Sequence, residues 1–279
     1  MNEDGGNRRR LTDPQPPGVD GAGNLSPAWS PKGNRIAFVS SGDETDEDEN
    51  RHELYVMDGN GDGLEQLTKN ESLDGDPSWS PDGNRIVFVR ADYWGTDRVE
   101  TSLRVIDADG SGEETLLQEK PGVFLGSPAW SPAGERIAYS RASFAGEKLA
   151  LTLHVMRSDG SGLVQIAEDA GQPAWSPNGK RIAYVSIADR QGETCFHECE
   201  ASGEIYVADA NGEHPKRLTR SQANDTSPAW SPDGKQIIFS SDRSNPRDHE
   251  IELYVIPASG GAPKRLTRND VWDLDPDWR

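Results

Sequence analysis

No stretch of this chain approaches the ~18 consecutive apolar residues of a membrane-crossing helix. Its N-terminus also lacks the basic and apolar regions of an export signal. Basic residues are scarce beside acidic ones: 29 Lys and Arg against 48 Asp and Glu give a formal net charge of −19. Nucleic acid and anionic membrane are excluded as ligands on that ground, because phosphate binding needs a basic face. A basic protein partner or a cation remains open, and acidic loops also keep a turn-rich protein soluble. Hydrophobic residues make up 33% of the 279, low for a globular core but above the range of a disordered chain. No G-x-S-x-G elbow occurs, and the length leaves no room for a hydrolase domain beside the repeats described next.

Glycine (29) and proline (19) are plentiful and fall in short clusters at regular intervals, the punctuation of many tight turns. The clusters belong to a repeat. "SPAWSPKGNRIAFVS", "DPSWSPDGNRIVFVR", "SPAWSPAGERIAYS", "QPAWSPNGKRIAYVS" and "SPAWSPDGKQIIFSS" recur, and the chain ends on "DPDWR". Their tryptophans are Trp29, Trp79, Trp130, Trp175, Trp230 and Trp278, spaced 45 to 55 residues apart.

Each unit reads as four strands. Proline on both sides of "AWS" allows only a short extended segment, since Pro lacks a ladder donor. "SPDG" is a tight turn, with Pro presetting φ and Gly taking the left-handed position. "RIAFVS" alternates with the period of a strand, "LYVMD" is a third strand, "DGNGDG" or "DADGSG" a second turn, and "LEQLT" a fourth strand. Four antiparallel strands per unit are a blade. One blade cannot cover both of its faces, whereas a ring of blades can. The expected fold is an all-β propeller of four-stranded antiparallel blades: five complete blades at 27–68, 77–117, 128–167, 173–219 and 228–267, and a partial sixth split between 8–12 and 275–279. The six repeat tryptophans are expected to be structural core, each indole hiding roughly 150–250 Å² between blades.

"P-A-W-S-P-D-G-x-x-I-x-F", followed by "x-L-Y-V-M-D" and "x-x-L-T", resembles the TolB-type propeller repeat, related to the WD-type propellers. The resemblance covers nearly the whole chain. It implies a non-catalytic platform for protein–protein interaction outside the cytoplasm, periplasmic or secreted. Similar repeats occur in the propeller domains of prolyl-oligopeptidase-type and tricorn-type peptidases and in propeller lyases, so an enzyme is the alternative reading. Nothing in the chain corresponds to the N-terminal α/β domain of TolB itself.

Aligning Met1 with Met57 places Leu11-Thr12 on Leu67-Thr68 without a gap, so "RRRLT" is a fourth strand without its blade and "DPDWR" a first strand without the rest. The expectation is that an upstream segment was removed, or that a methionine inside the repeat stands as the start. The other reading is a natural start with the leftover strands packed another way. First and fourth strands of a blade stand about 14 Å apart and cannot pair directly.

The short turns share one face of such a ring; the second-to-third strand loops and the blade-to-blade links share the other, where function is expected. Tyr93, Trp94, Phe124, Phe144 and Trp272 fall in this loop set and are candidate anchors for a protein partner, a basic one given the acidic surroundings; roofing the ends of the blades is the alternative. Cys195 and Cys199 of "CFHEC" are a candidate disulfide, a pair of free thiols, or with His197 three of the ligands of a zinc site whose fourth is not evident. Asp58, Asn60 and Asp62 begin like a calcium loop, but Lys69 stands where its bidentate Glu belongs. No cofactor is otherwise expected. The five histidines do not gather into a site: His154 takes the strand position of Tyr55, Tyr206 and Tyr254, and His214 lies in a short turn.

Overall fold

The computed structural model describes residues 6, 9–12, 24–41, 52–93, 99–146, 148–188, 203–244, 250–269 and 272–278. Five four-stranded antiparallel sheets follow one another along the chain and are arranged as a propeller. Blade one comprises β1 (Asn24–Trp29), β2 (Arg35–Ser40), β3 (Glu53–Asp58) and β4 (Glu65–Gln66). Blade two comprises β5 (Leu73–Trp79), β6 (Arg85–Tyr93), β7 (Val99–Asp107) and β8 (Glu114–Gln118). Blade three comprises β9 (Val123–Trp130), β10 (Arg136–Ala145), β11 (Lys148–Arg157) and β12 (Val164–Glu168). Blade four comprises β13 (Ala170–Trp175), β14 (Arg181–Ser186), β15 (Glu204–Asp209) and β16 (Lys216–Arg217). Blade five comprises β17 (Asp225–Trp230), β18 (Gln236–Ser241), β19 (Glu252–Pro257) and β20 (Lys264–Arg265). The first strands β1, β5, β9, β13 and β17 lie side by side in that order around the axis.

The first strands run through their proline rather than starting after it. In blade one the ladder pairs Leu25 with Val39 and resumes at Ala28 with Ala37, so Ser26 and Pro27 form a bulge. The same shift occurs in the first-to-second strand pairing of every other blade. The bulge is what admits proline, because the residue with no N–H is set outside the ladder.

The core lies between blades. One face of each sheet packs on the opposite face of the next: Ala37, Val39, Leu54 and Val56 of blade one meet Trp79, Ile86, Phe88 and Ile106 of blade two. Equivalent seams join blades two and three, three and four, and four and five. The indole crosses each of the last two seams and the first one, with Nε1 of Trp79, Trp175 and Trp230 donating at 3.0 Å to the carbonyls of Ala28, Ala129 and Ala174 in the preceding blade. Trp130 instead donates to Gly134 in its own turn, at 3.0 Å. A guanidinium of the preceding blade covers each ring: Arg35 over Trp79, Arg85 over Trp130, Arg136 over Trp175 and Arg181 over Trp230, 4.7–5.9 Å from the centroids. Trp79, Trp130, Trp175 and Trp230 are buried, while Trp29 and Trp278 are partly buried. The recurrent "LT" also has a structural task. Oγ1 of Thr68, Thr219 and Thr267 accepts the N–H of Leu54, Ile205 and Leu253 at 2.8–2.9 Å, tying the end of a fourth strand to the start of the third.

At the sixth position neither terminal segment is a strand, yet both follow the ring's pattern. Leu11 packs on Ile36, Phe38 and Met57 of blade one. Its carbonyl would meet a Cβ on Gly61 at 2.9 Å, as Leu67, Leu116 and Ile166 crowd Gly110, Gly160 and Gly212 in later blades. All four glycines have positive φ, so only glycine satisfies both the turn and the close approach. At the other end Trp278 packs on Ile238, Leu253, Val255 and Leu266 of blade five, where another blade's tryptophan would stand. Asp277 Oδ2 accepts the Trp29 N–H at 2.7 Å, just as Ser78 Oγ accepts that of Trp130 at 3.1 Å. The segment 272–278 therefore fills the inner-strand place between blades five and one.

Candidate functional site: the axial funnel

The bulges converge on the axis. Six residues preceding proline take left-handed backbone: Ser26, Asp76, Ser127, Gln172 and Ser227, with φ 48–51°, and Asp275, with φ 47°. A residue before proline ordinarily avoids compact conformations, and a non-glycine residue held at positive φ costs on the order of 1–3 kcal/mol. This ring pays that cost six times. Polar bonds running from blade to blade hold it. Ser26 Oγ donates to Asp76 Oδ1 at 3.3 Å and the Ser127 N–H to Asp76 Oδ2 at 2.7 Å. The Ser227 N–H donates to Gln172 Oε1 at 2.9 Å and Ser227 Oγ to Asp275 Oδ1 at 2.7 Å.

Above the ring the axis opens as a funnel of about 990 Å³. Its wall is built from the prolines and tryptophans of the repeat, and its rim from the first turns, with Pro31, Pro81, Pro132, Pro177, Pro232 and Lys32. The rim therefore lies on the face of the short turns, not on the loop face where the sequence pointed. Buried depth raises the Asp76 carboxyl above the ordinary aspartate range, and the neighbouring Asp275 charge adds to this against the bond from Ser127. Because the folded form holds this proton more tightly, its stabilising contribution is complete below the usual aspartate pKa and is lost as pH rises through the elevated one. Asp76→Asn keeps an acceptor for Ser127 and removes the charge. It is expected to be at least as stable as the parent at pH 7, with the difference vanishing on acidification; thermal melts across pH 3–8 of both proteins check this.

On the loop face, Tyr93 ends β6 and Phe144 stands near the end of β10, both exposed. Phe124 and Phe144 meet edge to face with centroids 6.2 Å apart. Trp272 is exposed too, but it belongs to the link after blade five, across the ring; the next residue, Asp273, donates its N–H to the Ile251 carbonyl at 2.9 Å. Trp94, Cys195, His197 and Cys199 lie outside the described residues.

Asp58, Asn60 and Asp62 occupy a turn in which the Asn60 amide donates to Asp62 at 2.8 Å and the Asp62 N–H returns to Asn60 Oδ1 at 3.0 Å. The same backbone bond across the turn, Asp58 N–H to Asp62 carbonyl, recurs at Asp107–Ser111, Arg157–Ser161 and Asp209–Glu213. A turn that works equally with arginine in place of the first aspartate is built by its backbone. Among the described residues no group of three His, Cys, Asp or Glu side chains is placed to hold a metal. The described histidines sit on separate blades. His154 stacks on Tyr139 at 5.4 Å, with burial lowering its pKa. His214 pairs with Asp209 at 2.8 Å, which raises its pKa. No described helix is long and apolar enough to cross a membrane.

Sequence reasoning missed the funnel ring. Its one legible signal was that the residue before proline is polar in all six copies: Ser, Asp, Ser, Gln, Ser and Asp.

Comparison with known proteins accords with this architecture. The model of the TolB beta propeller domain matches residues 17–99 and 85–279. The Tol-Pal system protein TolB of Bordetella pertussis is 37% identical over 143 residues, which is 51% of this chain and 30% of that protein. A putative TolB from Agrobacterium tumefaciens superposes with a TM-score of 0.67 at 20% identity, covering 88% of this chain and 81% of its own. An oligogalacturonate lyase from Vibrio parahaemolyticus superposes with a TM-score of 0.57 at 12% identity, covering 86% and 63%. At such identities the two structures share the fold. The family match spans nearly the whole repeat array, and the chain belongs to the TolB β-propeller domain family.

Proposed function

We propose that this chain is a platform for protein recognition, without catalysis of its own, working outside the cytoplasm. The axial funnel carries the reading. Six residues before proline are held at positive φ, and strain of this kind is kept where a surface must be preorganised. The wall of proline rings and indole edges offers apolar surface above a polar floor, which suits a protruding segment of a folded partner. The net charge of −19 favours encounter with a partner that presents a basic face. The likeness to a protein of the Tol-Pal system supports the same class and the same side of the membrane.

The test is to identify proteins retained by the immobilised chain, purify one, and measure its affinity by calorimetry. Pro132→Arg/Pro177→Arg, which places two long cations on the funnel rim, is expected to weaken that affinity about tenfold or more. A partner bound equally well by parent and variant would remove the funnel from the reading. Turnover by the pure chain in a hydrolase and lyase screen would remove the non-catalytic assignment.

A further inference from the structure

Three carboxylates hold the same place near the start of an inner strand. Asp74, Asp225 and Asp273 each stand two residues before a member of the funnel floor, Asp76, Ser227 and Asp275. The first two are buried, and an arginine of the same blade closes each off. Arg90, directly opposite Asp74 in the ladder, donates to Oδ1 at 2.7 Å and to Oδ2 at 2.9 Å. Arg243, two residues beyond β18, donates through Nη2 to both oxygens of Asp225. Asp273 has no such cation. Among the described residues its carboxylate accepts from the Asn269 side-chain amide alone, at 2.8 Å.

The surroundings of Asp273 match those of Asp74. In blade one, Asn70 donates its N–H to Glu53 Oε1 at 2.6 Å and its side-chain amide to Asp74 Oδ2 at 3.1 Å, so one asparagine sets two carboxylates side by side. Asn269 does the same in blade five, its N–H reaching Glu252 Oε1 at 2.8 Å and its amide Asp273. The second oxygens differ. Glu53 Oε2 accepts from Asn70 at 3.0 Å and Glu204 Oε2 from Thr219 at 2.6 Å, whereas Glu252 Oε2 is buried and accepts from nothing. Glu252 is 0% exposed and its one arginine, Arg265, lies on Oε1 at 2.6 Å. A buried carboxylate oxygen without a donor is costly, so a donor brought to it is bound. The approach is open: Trp272 and Leu274, on either side of Asp273, are 64% and 43% exposed, and 272–278 holds the inner-strand place without a ladder.

We propose that Asp273, with Glu252 and Asn269 behind it, is a guanidinium site, filled by an arginine on an extended segment of a partner polypeptide that lies antiparallel beside 272–278. Blade two sets the register. There Trp79 faces Ile86 and Asp74 faces Arg90. Trp278 follows Asp273 by five residues, as Trp79 follows Asp74. An arginine four places after an apolar residue seated opposite Trp278 therefore meets Asp273. The planar fork of arginine takes both carboxylate oxygens, which lysine cannot do. Main-chain bonds along the strand supply the rest of the affinity. Asp273 lies at the other end of the inner strand from the funnel rim, and its site does not rest on what the funnel binds.

The probe is a fluorescein-labelled peptide with the sequence of residues 84–92, NRIVFVRAD. Its anisotropy is read against the full chain at ~150 mM salt, where charges farther apart than ~8 Å are largely screened. Asp273→Asn is expected to weaken binding about tenfold, and so is Arg90→Gln in the peptide. The two losses are expected not to add: the altered peptide binds parent and Asp273→Asn equally within about twofold, the mark of a direct pair. Asp109→Asn/Asp159→Asn, which removes two exposed carboxylates elsewhere, is expected to leave binding within about twofold. Asp273 is partly exposed, and far-UV circular dichroism verifies that its variant is folded. Fully additive losses would overturn the proposal, as would undiminished binding by Asp273→Asn. So would an equal loss in Asp109→Asn/Asp159→Asn, or no binding of the peptide by the parent.

Discussion

Replacing Trp175 by alanine is expected to destabilise the protein by about 3–5 kcal/mol, the range for emptying a buried aromatic site. The indole is 8% exposed and packs against Ala138, Leu153 and Val155 of the preceding blade. Its loss would also leave the Ala129 carbonyl without its 3.0 Å donor and the Arg136 guanidinium without the ring 4.7 Å beneath it. Rearrangement cannot refill the space cheaply, because the blades on either side are locked by their own ladders. The midpoint of denaturant unfolding, followed by circular dichroism, measures the loss. A shift equivalent to less than ~1 kcal/mol would mean that the repeat tryptophans do not hold the seams together.

The second large effect lies at a buried charge. Arg90 is 7% exposed and is held by Asp74, itself 2% exposed, through bonds of 2.7 and 2.9 Å. Glu113 takes the outer edge of the guanidinium at 2.6 Å, and Phe88 lies beneath it at 5.4 Å. Asp74→Ala strips the buried side of its counter-charge and is expected to cost about 3 kcal/mol, the lower end of the range for breaking a buried pair because Glu113 remains. The double change Asp74→Leu/Arg90→Met removes both charges and is expected to recover most of that loss. A double variant as unstable as the single one would show that packing, rather than an uncompensated cation, is what Asp74→Ala damages.

Those two sites were unequally legible. Tryptophan at a fixed place in a repeat announces a core position, and the turns around it are spelled out: in "SPDG", Asp82 Oδ1 accepts the Asn84 N–H at 3.0 Å, as a turn aspartate does. The blade count and the places of the two terminal segments followed from spacing, although neither segment is a strand. What spacing could not show was reach across a seam. Arg35 lies in the second strand of one blade and covers a tryptophan of the next, and nothing local ties the two together. Arg90 and Asp74 face each other within blade two, and blade five holds the comparable pair Arg243–Asp225, but the arginine comes from a different place along the second strand and its loop, so the repeat does not align the two pairs. The funnel was hidden for another reason. What its six floor residues share is a backbone conformation that the following proline ordinarily disfavours, so the pattern of residue types argued against it. The first proline of each unit was read as opening the first strand, where the structure starts the strand earlier and lets it bulge around that proline.

The closure between blades five and one has a mechanical meaning. A hoop is only as stiff as its fastening. Among the described residues, four seams each hold an indole between two full sheets, whereas blades five and one are joined through the segment 272–278, whose Trp278 packs on blade five and whose Asp275 and Asp277 grip Ser227 and Trp29. Local opening of the wheel is expected to begin at that clasp, read as faster amide exchange at Trp29 than within β2.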